Sequence, residues 1–173
     1  MHPTGVPTTP DVDYAIAFFE EAVRDLWDAS TLHGTGRYPG AVTSSMHAAE
    51  KALKAFLFLQ VGWPNFRLSH RPFDQEIRPR TMLFRLFDID TLASEIDALE
   101  AMIPQRDLMR PGARNPEYPY FDRNLVLDRP ENSYGQRESA HHFNTARRVI
   151  EIVINSCPYL AALQKPLPSG FVP

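Results

Sequence analysis

Arg137-Glu138-Ser139-Ala140-His141-His142 is the densest grouping of chemistry-bearing side chains in this chain of 173 residues. A guanidinium stabilises negative charge on a phosphate or a developing oxyanion, and an imidazole titrates near neutral pH, so it can accept a proton or return one. On a helix Arg137 and His141 lie within about 40° of each other, whereas Arg137 and His142 are about 140° apart. Arg137 and His141 therefore act together within one helix, and His142 faces elsewhere. The bland alternative is a chance string whose histidines are surface or interface polar residues.

The other candidate groups carry less chemistry. Tyr118-Pro-Tyr-Phe-Asp-Arg, with Arg114 before it, can stack a base and hold a phosphate, or can pin its loop onto the body of the protein. His47 lies among alanines and reads as an interface histidine, and His70 reads as structural. The 6 histidines are scattered without metal-ligand spacing, and the glycines form no phosphate-cradling loop, so neither a metal nor a cofactor is expected. The single Cys157 has no internal disulfide partner and falls in an apolar helical pattern, which suits a buried, inert thiol.

Composition narrows the function classes. A net charge of −3 with a pI near 6.1 argues against a surface coated in basic residues. The arginines are nevertheless clustered, with five between Arg67 and Arg85 against Asp74 and Glu76, and a local phosphate-binding surface is one reading of them. The other is a set of solvated arginines on unrelated faces. No apolar run is long enough to cross a membrane, and the first residues lack the basic and apolar regions of a secretory leader, so a cytoplasmic location is expected.

The elements that must position these groups are helical. Residues 1–10 read as a disordered lead-in, 11–164 as one helical domain and 165–173 as a tail. Asp11 or Asp13 caps a first helix to about Leu32, with Ile16, Phe19, Val23, Leu26 and Ala29 or Ser30 on its apolar stripe. The second starts at Pro39, stops before Gly62 and Pro64, and has a small-residue half and a bulky half. Its short connection to the first makes a helical hairpin. A third is expected over about Thr81 to Ile103, with Leu86, Ile89, Leu92, Ile96, Leu99 and Ile103 on its apolar stripe and a bend near Asp88-Ile89-Asp90, and a last one from near Asn132 or Ser133 past Cys157. Between them lie two proline-rich inserts, residues 63–80 and 105–131. The expected architecture is all-α, an antiparallel bundle of four to five helices.

Two segments carry a family resemblance. Gly36-Arg-Tyr-Pro-Gly-Ala and Ala48-Ala-Glu-Lys-Ala-Leu-Lys-Ala resemble the second helix of HEPN domains, and Phe19-Glu-Glu-Ala-Val-Arg-Asp-Leu resembles their first. The match is good over roughly the first 60 residues and looser afterwards. HEPN ribonucleases carry an arginine, then four to six residues, then a histidine, and Arg137 with His142 has the spacing of four intervening residues. The resemblance implies that two such motifs meet across a homodimer to form one metal-independent RNA-cleaving site with Arg137 and His142 catalytic; Arg114 and Tyr118 from the aromatic insert and His141 from its helical position are the candidate RNA- or nucleotide-binding residues. It also implies a small nucleotidyltransferase as partner, in a toxin–antitoxin arrangement. The chain departs from the pattern at Glu138, where active members usually carry Asn, Asp or His, and at Asn144, where some toxin members carry a tyrosine that the partner modifies. A non-catalytic helical module that binds a nucleotide or that partner is the alternative function.

Overall fold

The computed structural model describes residues 8–102, 116, 120–121, 124 and 127–172. Helix α1 spans Thr9–Gly34 and helix α2 spans Tyr38–Gln60, joined by the short turn at Thr35–Arg37 in which Gly36 takes φ +76°, a conformation that favours glycine. The two pack along each other as the expected hairpin. The first helix begins slightly earlier than Asp11. Thr8 is its N-cap, and the Asp11 carboxylate accepts hydrogen bonds from the Thr8 backbone N–H at 3.1 Å and hydroxyl at 2.5 Å. The other Asp11 oxygen accepts the Trp63 N–H at 2.8 Å, which ties the start of α1 to the end of α2.

Helix α2 is the centre of the bundle because it is buried on several sides. Ala48, Ala49, Ala52 and Ala55 let neighbouring backbones approach closely, while Phe56, Leu57 and Phe58 fill the far end. It packs against α1 on one side and on the other against α6, Gln136–Ser156. The apolar stripe of α6, Phe143, Ala146, Ile150, Val153 and Cys157, is buried there. Pro158 starts a short α7, Pro158–Ala161, after the break at Cys157.

The expected third helix is two helices. Short α3, Thr81–Phe84, and α4, Leu92–Ala101, are separated by a break in which Asp90 and Thr91 have φ of 45° and 73°. The break changes which residues reach the core. Leu86 and Ile89, expected on the apolar stripe, are exposed, and Phe87 is buried in their place beside Leu92 and Ile96. The 63–80 insert contains a π-helical turn at Phe73–Ile77, whose first N–H groups are capped from α4. Glu100 accepts the Phe73 N–H at 2.7 Å and the Asp74 N–H at 3.0 Å. Burial pushes this carboxyl up to about 7, against the downward pull of those two bonds.

The last helix is preceded by a separate short turn, α5, Pro130–Ser133. A two-residue antiparallel pair, β1 Tyr120–Phe121 with β2 Leu127–Asp128, lies in the second insert. Residues 1–7 of the expected lead-in and most of the 105–131 insert lie outside the described residues. The architecture is an all-α bundle, and no described helix is long and apolar enough to cross a membrane.

Candidate functional site

The N-terminal half of α6 carries the motif residues, and its start explains one departure from the family pattern. Gly135 has no side chain with which to cap the helix, so the Glu138 carboxylate reaches back and accepts the Gly135 N–H at 3.2 Å. Glu138 therefore has a local structural partner other than Arg137.

Helical geometry divides the motif as its spacing demands. Ser139, Ala140, Phe143 and Ala146 face the core, leaving Arg137, His141, Asn144 and Arg148 along one outer stripe at steps of four, three and four residues. Arg137 and His141 are exposed, and Arg137 has no acidic partner among the described residues. Arg148 is paired with Glu95 of α4 at 3.3 Å, and the same Glu95 oxygen accepts the Thr145 hydroxyl at 3.1 Å.

His142 is half-buried on another side of the helix. Its ring centroid is 5.3 Å from that of His141, and its Nδ1 is buried without a hydrogen-bond partner among the described residues. Desolvation, followed by the neighbouring His141 charge, holds its pKa down at about 4, and the Glu138 and Glu95 carboxylates only partly oppose this. The imidazole is neutral at neutral pH and able to accept a proton. Within one chain Arg137 and His141 share the exposed stripe, while His142 lies on a half-buried side of the helix with its ring still in contact with that of His141. Arg114 and Tyr118, the remaining candidate binding residues, lie outside the described residues.

The arginine cluster of the first insert is largely neutralised. Arg71 pairs with Asp74 at 3.2 Å, Arg80 with Glu76 at 2.8 Å, and Arg78 with Asp97. His70 meets Glu50 Oε1 at 3.1 Å, and Lys54 reaches the same oxygen at 2.5 Å. Cys157 is buried, its thiol pushed up by desolvation, with the Gln60 side-chain amide 3.6 Å away. No group of acidic, histidine and cysteine side chains suited to a metal occurs among the described residues.

Sequence reasoning missed His33. This residue continues the α1 stripe one turn after Ala29, and its Nδ1 meets the Ser139 hydroxyl of α6 at 2.9 Å, both groups buried. Burial lowers its pKa. Tyr38 meets the ring edge-on at 5.5 Å, and Phe171 stacks on it at 4.0 Å. A histidine continuing an otherwise apolar stripe was the available signal, because a buried imidazole requires a polar partner.

A family model described as HEPN domain matches residues 15–156, which takes in all of α2 and α6. No curated protein and no solved structure matches the chain.

Proposed function

We propose that this chain, which belongs to the HEPN domain family, binds RNA along the outer stripe of α6 and cleaves it as a homodimer without a metal. The observation that carries the reading is the exposed Arg137, without an acidic partner among the described residues, on the same face as His141, whose ring neighbours that of a neutral His142, in a protein whose other arginine cluster is largely paired. One chain supplies half of the required chemistry. Two copies facing each other would supply two imidazoles and two guanidinium groups.

In that composite site a neutral His142 takes the proton from a ribose 2′-hydroxyl as the oxygen attacks phosphorus. The bond from phosphorus to the 5′-oxygen breaks, and a protonated imidazole from the other copy returns a proton to that oxygen. The products are a 2′,3′-cyclic phosphate and a 5′-hydroxyl. Arg137 neutralises the charge building on the phosphate, and a bound phosphate raises the pKa of a nearby imidazole, which makes the proton donor available at neutral pH.

Asn144 supports a second reading, a non-catalytic module that binds a nucleotide or a small nucleotidyltransferase. It offers no hydroxyl for modification, and its side chain is engaged within the chain, donating to the Phe171 carbonyl at 2.7 Å.

Incubation with labelled RNA in a chelator separates the readings. Cleavage to cyclic phosphate ends that is lost in Arg137→Ala and His142→Ala supports the first, and binding without cleavage supports the second. Absence of both binding and cleavage of RNA contradicts the first, and failure to bind a labelled nucleotide or a small nucleotidyltransferase contradicts the second.

A further inference from the structure

Residues 165–172 have no regular secondary structure, yet they are held across α1 and α6 by side chains that address their backbone. The Trp27 indole N–H donates to the Pro166 carbonyl at 3.1 Å, and Arg147 Nε donates to the Pro168 carbonyl at 3.0 Å. The Asn144 carboxamide takes both backbone groups of one residue, donating to the Phe171 carbonyl at 2.7 Å and accepting the Phe171 N–H at 3.0 Å. An isolated extended segment has no ladder of its own, so these side chains do what a neighbouring strand would otherwise do.

Side-chain selection accompanies the backbone contacts. Pro168 is buried. The Phe171 ring sits between His33, stacked at 4.0 Å, and Phe143, edge-on at 4.8 Å. A Cβ added at Gly170 would come within 3.1 Å of Asn144 Oδ1, and that oxygen is fixed by its bond to the Phe171 N–H. The surface therefore reads Pro-x-Gly-Phe: a proline in a buried position, a glycine where the receptor comes close, and an aromatic anchor.

At the root of this strap Gln164 has φ +46°, a left-handed conformation that is strained for a non-glycine residue. Swinging the strap away from its own body releases that strain and presents Pro-x-Gly-Phe to whichever receptor is free.

We propose that the groove between α1 and α6 is a receptor for an extended Pro-x-Gly-Phe segment, and that residues 165–172 of a second copy of this chain fill it by exchange of straps. The segment with the required sequence is on the chain itself, and the residue at its root is already strained, so a second copy is the occupant the geometry favours. The receptor shares Asn144 with the α6 stripe proposed to bind RNA, but strap exchange does not require RNA cleavage and stands without it.

The test uses two full-length variants. An isotopically labelled Phe171→Ala chain has an intact receptor and a defective strap, and an unlabelled Asn144→Ala chain has an intact strap and a defective receptor. Asn144→Asp, which keeps the volume, replaces the latter should the alanine variant fail to fold. On mixing, the Asn144 carboxamide and Trp27 indole resonances of the labelled chain move to their wild-type positions and saturate. A donor that also carries Phe171→Ala leaves them unmoved, and a Gly170→Ala strap, whose Cβ would crowd Asn144 Oδ1, moves them less at equal concentration. Resonances that stay in place with the intact donor overturn strap exchange, including the case in which a free peptide of residues 165–173 does move them. Equal movement with the Gly170→Ala donor overturns the sequence reading.

Discussion

The Phe171 ring lies against the His33 imidazole, with centroids 4.0 Å apart and planes 29° from parallel, while His33 Nδ1 meets Ser139 Oγ at 2.9 Å. One segment thus dries the contact between the end of α1 and the start of α6. Removing the ring in Phe171→Ala admits water, so the His33 pKa rises from its lowered position toward the ordinary histidine value. Loss of the half-buried ring costs about 1–2 kcal/mol. Ring-proton titration by NMR and urea unfolding check both effects; a His33 pKa that does not move would place the drying elsewhere.

His142 sets a pH dependence of stability. Its folded pKa of about 4 lies below the value of about 6.5 expected when unfolded. Between those values the unfolded chain binds more protons, so stability falls as pH drops through that window. His142→Gln removes this contribution, and between neutral pH and about pH 5 wild type loses of the order of 1 kcal/mol more than the variant. Urea midpoints across that range provide the measurement.

Asp11 joins two helix ends. Burial alone would raise its pKa, but the bonds from Thr8 and from the Trp63 N–H outweigh it and hold the carboxyl below its ordinary value. Asp11→Ala removes the carboxylate that holds the Thr8 cap of α1 and orphans the Trp63 N–H, costing about 1–3 kcal/mol at neutral pH. The difference between wild type and variant shrinks as pH falls through the acid range where Asp11 takes up its proton, and denaturation at several pH values reads it directly.

What was legible in the sequence followed from local rules. Pro39, Gly62 and the three- and four-residue steps from Val42 to Leu59 placed α2 to within a residue or two, since capping and periodicity act over one or two turns. The run from Leu86 to Leu99 keeps a helical period, and the bend expected near Asp88-Ile89-Asp90 falls where left-handed Asp90 and Thr91 break the chain, but the pattern alone does not show that the bend separates two helices. The π-helical turn depends on Glu100, far along the chain, for its N-terminal bonds. In the motif, helical arithmetic already separated Arg137 and His141 from His142, whereas the His33–Ser139 contact spans 106 residues and had no local trace beyond one polar residue on an apolar stripe.

Glu95 is a negative group beside the proposed RNA face, paired with Arg148 at 3.3 Å. Glu95→Gln keeps an acceptor for the Thr145 hydroxyl while freeing the Arg148 charge onto the stripe shared with Arg137. RNA affinity measured by anisotropy at low salt should rise by about two- to fivefold, and the gain should disappear at high salt, where exposed charges are screened. Unchanged affinity at low salt would mean that RNA does not approach this stripe.

The requirement for two copies is the centre of the functional account. Its most direct measurement is metal-free RNA cleavage per chain as a function of protein concentration, with the dimer fraction measured on the same samples by sedimentation. The account predicts specific activity near background in dilute monomer, rising with the dimer fraction to a plateau, and absent at every concentration in dimeric His142→Ala. Cleavage that is independent of concentration, that survives His142→Ala, or that never exceeds background in a fully dimeric wild type would contradict it.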